Sequence, residues 1–181
     1  MVVDFFVRFI ADAAVILVVL IAAWALLFKI PKGHRFEAYC RILMAGLTAY
    51  LVAKFVATVY QPSDLRPFEV LGVNPGASYL DNPGFPSDHA LFVTAILCAV
   101  WFETRFKKIT IILLILVLLI SVGRVVALVH TPLDVIGGVV IALIGALWYS
   151  NVPRSWLNKQ SANYKEHGNG KSSTKPATSH R

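Results

Sequence analysis

The sequence predicts an all-α fold, a polytopic membrane bundle of about five transmembrane helices with its active site on the extracytoplasmic side. Three observations carry this reading. Of 181 residues, 57% are hydrophobic, and the mean hydropathy of +0.67 is far above that of soluble domains. Five apolar runs approach the roughly 20 residues that a helix needs to cross the hydrocarbon core. The lysines and arginines of the short connections fall in alternate loops, as the positive-inside rule requires.

The five runs lie at about residues 9–30, 39–60, 87–103, 108–126 and 132–150. The first is too long for a signal peptide and follows both Asp4 and Arg8, so it reads as a retained anchor helix. The connection after it carries Lys29, Lys32 and Arg35, with Arg41 just inside the second helix. The connection after the third run carries Arg105, Lys107 and Lys108. From Asn151 onward come Arg154, Lys159, Lys165, Lys171, Lys175 and Arg181, against the single acid Glu166. With five spans these three basic places share one side, the cytoplasmic one. The chain therefore divides into a transmembrane domain over 1–155 and a basic, disordered tail over 156–181, held near anionic headgroups.

The formal net charge of +7 would suit nucleic acid in a soluble chain, but most of it sits in this tail beside a membrane span. No nucleic-acid partner is expected. Cys40 and Cys98 lie in or beside apolar runs, where they act as small hydrophobes and not as a disulfide framework. Five histidines and no Cys-x-x-Cys give no metal-site pattern, so no cofactor is expected.

The other pole receives the Tyr60–Pro86 loop and the turn at His130. The loop is rich in Pro, Gly, Asn and Asp, with Asp64, Glu69 and Asp81 against Arg66 alone. A connection of that length is more often functional than idle. Every notable polar residue near a span points to this pole: Lys54 late in the second helix, Ser87, Asp88 and His89 opening the third, Arg124 ending the fourth, and His130 and Asp134 bracketing the start of the fifth. Ionisable groups in a membrane segment are costly and usually functional.

The chemistry centres on residues 124–134, RVVALVHTPLD. Thr131 and Pro132 suit the cap and first position of a helix. Asp134 falls about one turn beyond His130, where its carboxylate can take the proton of one ring nitrogen and leave the other free to attack. Two helix N-termini with Lys54, Arg66 and Arg124 form an anion pocket at the height of a lipid-borne phosphate. His89 stands where it can protonate a leaving oxygen. Ser87 is both a helix cap and a phosphate ligand in this reading. Asp88 beside a phosphate must either point away or hold its proton.

These residues resemble the type 2 phosphatidic acid phosphatase superfamily, whose motifs are a lysine ahead of Arg-Pro, a Pro-Ser-Gly-His box, and Ser-Arg followed by His and Asp. Here they stand as Lys54 with Arg66-Pro67, Pro86-Ser87-Asp88-His89, and Gly123-Arg124 with His130 and Asp134. The R-x5-H-x3-D spacing matches fully. Eleven residues separate Lys54 from Arg66 where six are usual, Asp88 replaces glycine, and Gly123 replaces a serine, which removes one hydroxyl ligand to phosphate. FPSDHA and RPF are similar to the bacterial undecaprenyl pyrophosphate phosphatases within the superfamily. The resemblance implies a metal-independent lipid phosphatase of the plasma membrane. His130 would form a phosphohistidine with Asp134 orienting it, and His89 would act as acid and then base. Arg66, Arg124, Lys54, Ser87 and Asp88 would line the phosphate. Five spans against the usual six imply an N-terminus on the outside and exclude a soluble haloperoxidase. Undecaprenyl pyrophosphate is the expected substrate, with phosphatidate or phosphatidylglycerol phosphate as alternatives. A non-catalytic phospholipid-binding or transport protein is the reading from another class.

Overall fold

The structure, a computed structural model, describes residues 6–63, 65–80, 82 and 84–151. Asp4, Asp64, Asp81 and the predicted tail over 156–181 lie outside them. The described residues are helical, with no strand among them.

Five long helices occur where the apolar runs predict them. They are α1 (Phe6–Lys29), α2 (Arg35–Val59), α4 (Asp88–Thr104), α5 (Lys107–Val126) and α6 (Pro132–Gly145). The Tyr60–Pro86 loop contains one further short helix, α3 (Pro67–Leu71). Proline at its first position and Gly72 in the left-handed conformation at its end are the local reasons for this turn of helix.

Four stretches are long and apolar enough to cross a membrane: Phe6–Lys29, Lys32–Val59, Lys107–Val126 and Pro132–Ser150. The predicted third span, α4, has 17 residues and is the central helix, packing against the other four long ones. Its buried face carries small or branched side chains, among them Ala90, Val93, Ala99 and Val100. The outer faces of α1, α2 and α5 carry exposed Phe28, Leu43, Phe55, Ile115 and Leu119. Apolar surface of that extent facing outward belongs in lipid. The protein is a multi-pass membrane protein.

Small residues let the helices approach closely, as in other membrane bundles. Ala38, Ala45, Ala49 and Ala53 form the buried stripe of α2. On α6, a β-carbon at Gly138 would stand 2.6 Å from the Ser87 carbonyl oxygen and 3.0 Å from the Leu91 nitrogen. That glycine is required for α6 to lie against the first turn of α4, where Ser87, Asp88 and His89 sit.

At the pole away from these residues, Arg41 donates to both oxygens of Glu103, at 2.8 and 2.9 Å, and Glu103 is fully buried. Arg41 is thus a paired charge between α2 and α4, not a free member of the basic loop.

Candidate active site

The geometry starts from the turn that precedes α6. Thr131 caps the helix by accepting the Asp134 amide at 3.2 Å, and Asp134 Oδ2 accepts the Thr131 amide at 2.7 Å. This reciprocal box satisfies donors that a helix start leaves open. The Asp134 carbonyl also accepts the Ser87 amide at 2.9 Å, tying the starts of α4 and α6 together. Asp134 and His130 are both buried, with Asp134 Oδ2 3.6 Å from His130 Nδ1. That is a close ion-pair separation but longer than a hydrogen bond. The carboxylate faces Nδ1, which leaves Nε2 as the nitrogen turned away from it. Burial pushes the His130 imidazole below its usual value, and Arg124 and Arg66 push the same way, while Asp134 opposes them.

The segment just before His130 is held from outside. Its three successive carbonyls, of Ala127, Leu128 and Val129, accept from the Gly76 amide at 2.9 Å, the Phe68 amide at 3.0 Å and Arg66 Nη1 at 2.6 Å. Leu128 has φ +61°, an uncommon backbone for a residue with a β-carbon, and it turns these groups toward the loop.

A cavity of about 250 Å³ opens at this pole, lined by Arg66, Asp88, His89, Arg124 and His130 together with loop residues 78–80, Asn82, Gly84 and Pro86. Five of the eight residues singled out from the sequence therefore share one cavity. The other three stand around it. Asp134 lies behind His130. Ser87 is at the N-cap of α4 but is fully buried, and its Oγ neither caps the helix nor meets any described partner. Lys54 reaches the rim, with its ammonium 3.5 Å from Asp88 Oδ1 and 5.3 Å from the centre of the Tyr50 ring. Asp88 lines the cavity, and its Oδ1 is the oxygen that the Lys54 ammonium approaches.

Arg66 differs from expectation in how its donors are used. Besides the Val129 carbonyl it holds the Leu80 and Asn82 carbonyls and Asn82 Oδ1, each at 3.0 Å from Nη2. Its guanidinium lies 5.4 Å from the Tyr79 ring centre. Arg66 thus clamps Leu80 and Asn82 at the wall of the cavity as well as lining it.

Arg124 is 1% exposed and donates from Nη1 to Asp12 Oδ1 at 2.9 Å, while its buried Nε has no described partner. Asp12 also accepts, at Oδ2, the Ser78 amide at 2.9 Å and the Ser78 hydroxyl at 2.8 Å. Asp12 belongs to no motif of the sequence. The available signal was a carboxylate inside an apolar span, which is costly unless it has a partner. Gly123 packs against α1: a β-carbon there would stand 3.1 Å from Ile10 Cγ2 and 3.4 Å from the Ala11 nitrogen.

Among the described residues no three His, Cys, Asp or Glu side chains come together as a metal site. The converging groups are two imidazoles and two guanidiniums, a set suited to an anion and to proton transfer.

Comparison with known proteins agrees with this chemistry. Residues 37–157 match the PAP2 superfamily. The chain is 32% identical over 149 residues to undecaprenyl-diphosphatase BcrC of Bacillus subtilis (strain 168), covering 79% of this chain and 71% of that protein. No solved structure matches it significantly.

Proposed function

Because this chain belongs to the PAP2 superfamily and is a lipid phosphate hydrolase of that superfamily, we propose that it removes the terminal phosphate of undecaprenyl diphosphate. The observation that carries the site assignment is the placement of His89 and His130 on one cavity with Arg66 and Arg124. The similarity to BcrC supports the substrate. The basic character of the loops at the other pole supports an active site on the extracytoplasmic face of the plasma membrane.

In the first half-reaction His130 Nε2 attacks the terminal phosphorus in line with the bridging oxygen. A P–N bond forms, the P–O bond to undecaprenyl phosphate breaks, and His89 gives its proton to the leaving oxygen. Asp134 stabilises the charge that appears on the His130 ring. Arg124 and the Arg66 donors not held by the loop carry the equatorial oxygens, where charge accumulates in phosphoryl transfer. In the second half-reaction His89 takes a proton from water, the water oxygen bonds to phosphorus, and the P–N bond breaks to release inorganic phosphate. Lys54 serves at the rim, through Asp88. Ser87, whose buried hydroxyl has no described partner, stands at the N-cap of α4 next to two cavity residues, Pro86 and Asp88, and is a further phosphate ligand in this proposal.

The test is comparative turnover in detergent of undecaprenyl diphosphate, phosphatidate and phosphatidylglycerol phosphate. The proposal expects the highest kcat/KM for undecaprenyl diphosphate. A preference of about tenfold or more for either glycerolipid, a decade in specificity, would overturn it.

A further inference from the structure

The N-terminal helix enters the site through Asp12, at a position outside the family-matched residues 37–157. Asp12 sits in a π-helical turn, Phe9–Ala13, that interrupts the α-helical period of α1. Such turns re-aim side chains and recur at functional sites. Each carboxylate oxygen has a separate duty: Oδ1 holds the Arg124 guanidinium, and Oδ2 holds the backbone and side chain of Ser78. Arg124 and Ser78 both line the cavity. Gly123, next to Arg124, is where the same π turn rests, with Ile10 and Ala11 against its bare α-carbon.

We propose that Asp12 is a positioning residue for phosphoryl transfer. It fixes the guanidinium of Arg124 and the Ser78 end of the loop in register, and Gly123 is the complementary surface that lets α1 come close enough to do so. The proposal rests on the phosphatase reading above. An arginine that is 1% exposed with an unpartnered Nε has its remaining donors available to the cavity, provided one edge is anchored. A single carboxylate contact supplies that anchor and leaves the other donors free for phosphate oxygens. Arg66 anchors the other end of the loop, at Leu80 and Asn82, while Asp12 holds it at Ser78. A misplacement of about 1 Å in such a constellation costs on the order of 10²-fold in rate.

The experiment compares kcat and KM on one lipid diphosphate for the parent, Asp12→Asn, Gly123→Val and the double variant. Melting temperatures are recorded for each. Asn keeps one acceptor but cannot serve both arms. The expected result is a kcat loss of about tenfold or more for each single variant, with KM within about threefold, because the interaction lost is one made in the transition state. The double variant should be no worse than the poorer single one, since both act on one contact. An Asp12→Asn kcat within about twofold of the parent, or losses that multiply, contradicts the proposal. So does a change confined to KM or melting temperature, which would indicate packing alone. Should Asp12→Asn fail to fold, Gly123→Val decides by the same split. A parent without turnover overturns the phosphatase reading and this proposal together, whereas an active parent with an unaffected Asp12→Asn overturns only this one.

Discussion

Asp134 Oδ2 stands 3.6 Å from His130 Nδ1 while accepting the Thr131 amide at 2.7 Å. One oxygen thus closes the helix cap and faces the ring of the proposed nucleophile. The helix start aims the carboxylate, and the carboxylate aims the imidazole. Asp134→Asn should lower kcat by about 10²-fold or more, because an amide can present a donor to Nδ1 and stabilise the wrong tautomer. Steady-state kinetics on folded variant check this, and a kcat within about threefold of the parent would show that the pair serves the cap alone.

The pH dependence follows from the burial of His130. Its pKa lies below the ordinary imidazole value because burial, reinforced by Arg124 and Arg66, disfavours the cation. With the neutral ring as the proposed nucleophile, activity should persist as pH falls through about 6.5 and drop only as the lowered pKa is crossed. The acid limb of kcat/KM, corrected for substrate ionisation, measures this. A limb centred above 6.5 would contradict it.

At the rim, Lys54 and Asp88 are both about half exposed, so their pairing adds little stability in water. Its consequence is electrostatic, since a carboxyl group on this cavity stands beside the proposed phosphate position. Asp88→Gly should leave kcat/KM equal or up to about tenfold higher, with Lys54 freed toward the substrate. A loss greater than about tenfold would assign Asp88 a part in proton handling.

Arg66 makes a further case because three of its acceptors belong to the loop and one to the residue before His130. A lysine keeps the charge but has no planar fork. Arg66→Lys should cost about 10²-fold in kcat and should speed hydrogen exchange of the 78–80 amides, as the loop loses its clamp. Unchanged exchange with lost activity would place the role of Arg66 on the phosphate alone.

Much of this architecture was legible in the sequence. The runs gave the five long helices, and Thr131, Pro132 and Asp134 announced the cap of α6 because capping is set by residues within one turn. The motif spacing brought His89, His130, Arg66 and Arg124 to one pole because helix alternation leaves them no other place. What stayed hidden depends on contacts far apart in the chain. Asp12 and Arg124 are 112 residues apart, and Arg41 and Glu103 are 62 apart. No local pattern encodes either pair. The same holds for the close approach of α1 to Gly123, more than 110 residues away in the chain. The use of Arg66 on carbonyls was hidden because backbone acceptors leave no trace in residue type.

The central claim is that His130 carries the phosphoryl group in a lipid phosphatase with no need of a metal. Its most direct test is phosphate release from undecaprenyl diphosphate in detergent with EDTA present, comparing the parent with His130→Ala. The account predicts release by the parent and a loss of at least about 10³-fold in the variant, as removal of a covalent nucleophile requires. Release that vanishes in EDTA and returns only with a divalent cation, or a His130→Ala variant that keeps parental turnover, would contradict it.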